Sequence, residues 1–398
     1  MNSRIELPDP APEEKEILEF FSARNFERSR RFAKGAYDPA ILRQHLAARG
    51  DPQFSYKTIH VAGTVGKGST TNYLARGLVS LGKKTGTYLS PHFVSLKERI
   101  LVNDRPITDG QLAHAWGQLL AAGNLETLSF FDAMTAMAFE IFADERVDYA
   151  VIETGLGGRL DSTNNLHSEF SVITRIGLDH QQILGDTIDA IAREKAGIIK
   201  PGRRVYTCTQ IDAALEVLRS VCADVGSELV VIGDNGSDFT ERNRHLAREI
   251  LTREFSPDAA GIAAITKALE QPVFGRFSIL RSEPRIIFDS GHNDAAMQAL
   301  AEIVNRQPES QYNFFLNTMV ERDLAQFFSR LAATLGGKAR FFLFSMRSPG
   351  YYAAENSPSG IEAHSDEQIS AILKDREALH VFAGSMGIYA ELRARFGL

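Results

Sequence analysis

Cysteine is scarce in this chain: Cys208 and Cys222 are the only two in 398 residues. Two thiols cannot frame a disulfide scaffold and do not have metal-ligand spacing, so both read as reduced thiols of a cytoplasmic protein. No apolar run is long enough to make a helical membrane span. The segment Met1–Glu19 is acidic and dotted with proline instead of basic and then apolar, so it does not read as a secretory signal. A net charge of −6 and the lack of a basic run argue against a nucleic-acid partner. Repeats and low-complexity segments are missing too. These absences leave a soluble, cytoplasmic chain, expected to be a monomer. At this length two domains are the default, because single cores stop growing sooner.

Short β-branched runs alternate with helical patterns, the signature of a mostly parallel sheet with helices on both faces. Strands are expected at Thr58–Ala62, Val147–Glu153, Phe170–Arg175 and Arg204–Cys208, with a helix at Ser69–Leu81. Asp132–Asp144 is apolar nearly all round and predicts a buried helix, with Asp132 and Glu140 marking its edges. A second alternation follows Gly275-Arg276-Phe277. Its strands are Arg285–Asp289, Tyr312–Thr318, Ala339–Ser345 and Leu379–Ala383, and its helices Ala295–Arg306, Leu324–Leu335, Asp366–Lys374 and Gly387–Phe396. Pro272 and Gly275 interrupt both patterns, which puts a boundary between domains 1–271 and 272–398. Ser348–Ser359 reads as a long surface loop.

The stretch with the most chemistry is His60-Val61-Ala62-Gly63-Thr64-Val65-Gly66-Lys67-Gly68-Ser69-Thr70-Thr71. An apolar strand runs into a glycine-broken turn carrying one lysine, as phosphate-binding loops do. Gly63, Gly66 and Gly68 let backbone N–H groups turn inward, Lys67 supplies a point charge, and Ser69 or Thr70 opens a helix whose positive end faces the anion. The ligand expected is a nucleoside triphosphate. Val61 stands where G-x-x-x-x-G-K-[ST] has its first glycine, so the loop is not the standard one. Glycine-rich turns also occur without phosphates; here the lysine, the hydroxyls and the preceding strand agree on the phosphate reading.

Three further strand ends carry polar groups, and open parallel sheets bind ligands at such ends. Glu153 is a natural magnesium ligand there, because Mg²⁺ takes one or two carboxylates beside phosphate oxygens and water. Arg159 and Asp161 in the glycine-rich sequel are either an ion pair within a turn or substrate-orienting groups, the second being favoured. Asp179-His180 follows the next strand. Lys195 lies in an apolar helical pattern, where an ammonium near a metal would be repelled but a modified, anionic lysine would not. Asp289-Ser290-Gly291-His292-Asn293 ends a strand of the second domain, and Arg276 at the junction is a fork suited to phosphate.

With these motifs in hand, the chain resembles the folylpolyglutamate synthase/dihydrofolate synthase family of the Mur-ligase superfamily. The likeness runs from about Leu42 to the C-terminus and rests on motifs in family order. They are the phosphate loop, Leu89-Ser90-Pro91-His92-Phe93 with Glu98-Arg99-Ile100, Ser129-Phe130-Phe131-Asp132, Glu153 through Asn164, Asp179-His180 with Glu194-Lys195, and Arg276 with Asp289–Asn293. The fold implied is a P-loop-containing α/β domain with a mostly parallel sheet, of Mur-ligase central-domain type, followed by a smaller Rossmann-like α/β domain.

The resemblance implies an ATP-dependent carboxylate–amine ligase adding L-glutamate to a folate or dihydropteroate through an acyl phosphate. It implies ATP phosphates on Gly63, Thr64, Gly66, Lys67, Gly68, Ser69 and Thr70, and nucleotide contacts from Asn243, Arg276, Asp289 and His292. Two Mg²⁺ ions would be bound with the help of Ser69, Ser90, Glu153 and His180, with Lys195 as a carbamate. Lys67, Lys195, His180 and Glu153 would act in catalysis. Phe131, Arg159 and Asp161 would shape the folate or pteroate pocket, and Ser385 matches a C-terminal position tied to activity. Two departures stand out: Val65 replaces an asparagine, and Asn25–Ala36 lacks the glycine- and leucine-rich signature of a dihydropteroate loop. Another Mur-type amino-acid ligase and a degenerate ATP-binding protein are the alternatives.

Overall fold

The computed structural model describes residues 7–22, 39–236, 238–320, 323–348, 350–357 and 361–398. Asn25–Ala36 therefore lies wholly outside the described residues. Those described form two compact units that part between Gln271 and Pro272.

The first unit is built on eight strands: β1 (Lys57–Ala62), β2 (Thr85–Tyr88), β3 (Ile100–Val102), β4 (Arg105–Pro106), β5 (Tyr149–Glu153), β6 (Ser168–Ile173), β7 (Arg204–Cys208) and β8 (Leu229–Ile232). Their order is β4-β3-β2-β5-β1-β6-β7-β8, parallel except where β3 pairs antiparallel with β2 and β4. β1 is central, with Val61 in register with Glu153 on one side and Val172 on the other. Every β1 residue after Lys57 is buried, as expected of a parallel strand covered on both faces. Its one buried imidazole, His60, lies 2.8 Å (Nε2) from Thr163 Oγ1, and burial pushes its pKa well down, so it is a neutral core group.

The helix Phe130–Asp144 is buried along its length, but its acids are not at an edge. Asp132 is 2 % exposed because it closes a capping box with Ser129 and also accepts from Ser162 Oγ at 2.7 Å. Glu140 is 4 % exposed and pairs with Arg49. Both acids are tolerated inside because each is tied to a partner, which corrects the expectation from the sequence.

The second unit holds β9 (Ser278–Ser282), β10 (Arg285–Asp289), β11 (Gln311–Leu316), β12 (Ala339–Leu343), β13 (Glu362–Ala363) and β14 (Ala378–Ala383), in the order β13-β12-β11-β14-β10-β9. Only β9 runs antiparallel to its neighbour. Phe314, Leu316 and Val381 of the sheet pack against Leu324, Phe327 and Leu331 of the helix Leu324–Leu335. β11 stops at Leu316, two residues before the expected Thr318, because Asn317 turns its amide to Phe344 O and Tyr352 O, both at 2.7 Å. Those bonds also pin part of the segment expected to be a free surface loop: Tyr352 N donates to Asn317 Oδ1, and Tyr351 pairs with Met319. Among the described residues no helix is long and apolar enough to cross a membrane.

Candidate functional site

The loop after β1 has the geometry of an anion cradle. Gly63 sits at φ 153°, where a Cβ would fall 1.8 Å from Thr174 Oγ1. Gly66 caps the following helix at φ 92°, and a Cβ there would meet the Asn243 side chain at 2.7 Å. Neither position accepts a side chain, so the backbone can fold in tightly. The helix begins at Lys67, two residues before the expected start, so the N–H groups of its first turn have no intrahelical acceptor. Those N–H groups and the helix dipole favour an anion at that end. Val65 leaves this cradle intact, because its contribution is backbone: Thr64 N and Val65 N both donate to Arg175 O, at 2.9 and 3.2 Å.

Lys67 is half-buried, and its Nζ donates to Gly63 O at 3.2 Å. Ser69 and Thr70 are buried, and among the described residues Thr70 Oγ1 has no hydrogen-bond partner. Lys195 comes from the helix Ile188–Ala196, is 4 % exposed, and donates to the same Gly63 oxygen at 2.7 Å. Burial first, and the charge of Lys67 second, lower its pKa to about 7.

Glu153 ends β5, beside the central strand, and is buried. Its Oε2 accepts from Ser90 N at 3.1 Å and lies 3.4 Å from where a Cβ on Gly68 would stand, so the carboxylate faces the start of the lysine-bearing helix. Ser90 is held by the loop that follows it, where Glu98 accepts from the N–H groups of Phe93, Val94 and Ser95 at 2.7–2.8 Å. Carboxylate and hydroxyl oxygens are the donors a hard cation prefers, so Glu153, Ser69 and Ser90 fit magnesium chemically. Among the described residues no cluster of three or more His, Cys, Asp or Glu side chains gathers to hold a metal. His180 is exposed, at φ 50° on the cap of the short helix Gln181–Leu184.

Arg159 and Asp161 do not pair with each other. Arg159 reaches Glu194 at 2.8 Å, while the buried Asp161 accepts from Leu156 N and from the backbone and hydroxyl of Thr163. Burial pushes the Asp161 pKa up, against those hydrogen bonds. The Thr163 hydroxyl also meets His60, so one hydrogen-bonded run joins β1 to the glycine-rich segment; the sequence reading missed it, because Thr163 is a residue type with no chemistry of its own to flag it. Phe131 is half-buried, its ring 5.8 Å from that of Tyr88 and hard against Gly155. Asn243, on the helix Phe239–Phe255, stands at Gly66.

In the second unit Asp289, Arg276 and His292 form one cluster at the end of β10. Asp289 accepts from Phe277 N and Gly291 N, Arg276 donates to Ser290 Oγ, and His292 Nδ1 lies 3.0 Å from Ser290 O. Ser385, after β14, donates to Tyr351 Oη at 3.0 Å.

No protein-family model matches the chain. Curated relatives do. A dihydrofolate synthase/folylpolyglutamate synthase of Bacillus subtilis is 29 % identical over 89 % of this chain and 94 % of its own length. The Mycobacterium tuberculosis protein of that name is 31 % identical over 68 % and 67 %, and a probable dihydrofolate synthetase of Schizosaccharomyces pombe 33 % over 67 % and 71 %. Among solved structures, the apo form of L. casei FPGS superposes with a TM-score of 0.78 at 25 % identity, over 96 % of this chain and 98 % of that one. A bifunctional folylpolyglutamate synthase/dihydrofolate synthase with Mn, AMPPNP and L-glutamate bound gives 0.82 at 23 %, over 96 % and 98 %, a likeness of fold.

A mostly parallel sheet whose central strand runs into a lysine-bearing, glycine-rich loop, followed by a second α/β unit, is the Mur-ligase type of fold that these structures share. Within that type the chain belongs to the folylpolyglutamate synthase/dihydrofolate synthase family.

Proposed function

We propose that the chain joins L-glutamate to the carboxylate of a folate or dihydropteroate in an ATP-dependent reaction that passes through an acyl phosphate. The observation that carries this reading is the arrival of Lys67, Lys195 and Glu153, from three separate stretches of sequence, at one glycine-rich loop. The names of the relatives supply the substrate class.

In the first step a carboxylate oxygen of the acceptor attacks the γ-phosphorus in line, and the bond to the ADP oxygen breaks. Lys67 and the first-turn N–H groups offset charge on the transferring phosphoryl group. The glutamate amine then attacks the acyl carbon, loses a proton, and phosphate departs. Most of the catalysis is positioning and electrostatics, so cations and N–H donors matter more than an organic nucleophile. Bound Mg²⁺, held with the help of Ser69, Ser90, Glu153 and His180, would neutralise phosphate charge. Two ions are proposed.

Lys195 is proposed to carry a carbamate, formed when its amine adds CO₂ at carbon and releases a proton. Its depressed pKa supports this, because only the neutral amine is nucleophilic. Phe131 is proposed to line the folate pocket. Arg159 and Asp161, given their partners, are proposed to shape the loop beside it. Asn243 is proposed as a nucleotide contact from its place at Gly66. For Arg276, Asp289, His292 and Ser385, support comes from residue type and from their place at the carboxyl ends of parallel strands.

The test is product formation from ATP and labelled glutamate, with dihydropteroate and reduced folates offered separately. Labelled amide product and stoichiometric ADP with either acceptor are expected. ATP binding without product from any acceptor would overturn the reading in favour of a degenerate ATP-binding protein.

A further inference from the structure

A cavity of about 230 Å³ opens in the first unit between the helices Phe239–Phe255 and Ala259–Leu269, and the reaction proposed above uses none of its walls. Arg244, His245 and Arg248 line it from one helix, Thr266 and Leu269 from the other, and Glu241 is the only acid among the described residues that line it. Two guanidinium groups facing one carboxylate make the cavity positive, in a chain whose net charge is −6.

The donors are arranged rather than merely present. The Arg244 guanidinium lies 5.7 Å over the Tyr73 ring, and among the described residues its buried Nε has no hydrogen-bond partner. A buried donor left unmade is costly, so this atom favours an acceptor arriving from outside. Arg248 Nη2 lies 3.4 Å from His245 Nδ1. Arginine can only donate, so the imidazole Nδ1 accepts and its Nε2–H remains as a further donor. Guanidinium forks match the paired oxygens of a phosphate group, as they match those of a carboxylate, and two forks beside an imidazole donor suit the more highly charged, three-oxygen phosphate.

We propose that this cavity is a second anion site, taking a phosphate group that is either free orthophosphate or part of a small phosphate monoester. It is separate from the Gly63–Ser69 cradle. Its neighbour in sequence, Asn243, stands at Gly66, so the two sites share one helix.

The test is calorimetric titration of the full-length chain with inorganic phosphate and, in a second arm, with glycerol 3-phosphate. It is run on the parent, on Lys67→Ala to disable the cradle, and on Arg248→Gln and Arg244→Gln. Melting curves without ligand check that each variant is folded, and Arg248→Lys, which keeps the charge, covers the case in which glutamine disturbs the helix. Either probe should bind Lys67→Ala within about twofold of the parent and lose at least tenfold in affinity in Arg248→Gln. Arg248→Lys should recover part of that loss. Binding in the phosphate arm identifies the free anion, and binding in the ester arm alone identifies the monoester. Absence of binding in both arms, or binding lost in Lys67→Ala and unchanged in Arg248→Gln, overturns the proposal. Because the readout is binding without turnover, it stands or falls apart from the ligase reading.

Discussion

Lys67 and Lys195 donate to a single acceptor, the carbonyl oxygen of Gly63, at 3.2 and 2.7 Å. Two like-charged side chains on one oxygen repel each other, and the more deeply buried one yields. That is why the Lys195 amine is lowered to about 7, by burial first and by the charge of Lys67 second.

The pH dependence of stability follows. Lys195 has an ordinary pKa of 10.5 and a folded value of about 7. Below pH 7 both folded and unfolded chains hold the proton, and the full cost of burying the charge is present. Between about pH 7 and 10.5 the unfolded chain binds more protons than the folded one, so the cost fades as pH rises. Thermal melts should therefore show Lys195→Met gaining most on the parent near pH 6 and the difference shrinking toward pH 10. A difference flat across that range would mean that the buried amine carries no such shift.

Activity should behave otherwise. Lys195→Ala is expected to lose most turnover, and acetate or formate should partly restore it by supplying the carboxylate that the carbamate provides. Turnover equal to the parent without added carboxylate would remove Lys195 from the reaction.

Glu153→Gln keeps an acceptor for Ser90 N but loses the charge facing the helix that begins at Lys67. A fall in kcat of roughly a hundredfold, with little change in melting temperature, is expected from steady-state kinetics at saturating Mg²⁺. An unchanged kcat would place the metal elsewhere.

Thr163→Val cuts the run from His60 to Asp161 while nearly preserving volume. It leaves a buried carboxylate and imidazole each short of one partner, so urea unfolding should show a loss of about 1–3 kcal/mol. A loss near zero would mean that the run is incidental to the fold.

Much of this architecture was legible from the residues, and the exceptions have physical causes. β1, β10 and the helix Leu324–Leu335 announce themselves through strong periodicity and turn residues at their ends. β2, β3 and β4 are two to four residues long, with Gly86 inside β2 and Pro106 ending β4, too short for alternation to register. The helix Phe239–Phe255 was not singled out because its sequence is dominated by charge, yet it brings Asn243 to Gly66 and walls the basic cavity. Asp132 and Glu140 were placed at an edge because isolated acids usually are; no local pattern reveals Ser162 and Arg49, which lie thirty and more positions away in the chain. At the glycine-rich loop the turn residues Gly63 and Gly66 were legible because they are contiguous with the strand and helix they join, whereas Arg175 and Asn243, which pack against the loop, come from far along the chain.

Val65→Asn should leave the loop unchanged, since the position contributes through its N–H to Arg175 O. Steady-state kinetics should give a kcat/KM for ATP within tenfold of the parent, about 1.4 kcal/mol. A larger fall would show that the valine side chain itself is needed.

The position of β1, paired on both sides and buried from Thr58 to Ala62, also fixes a timescale. Its amides can exchange with solvent only when the sheet opens as a whole, so the strand feeding the phosphate loop should be among the last in the chain to take up deuterium. Gly63–Ser69 therefore hangs from a strand end that the sheet holds in place on both sides.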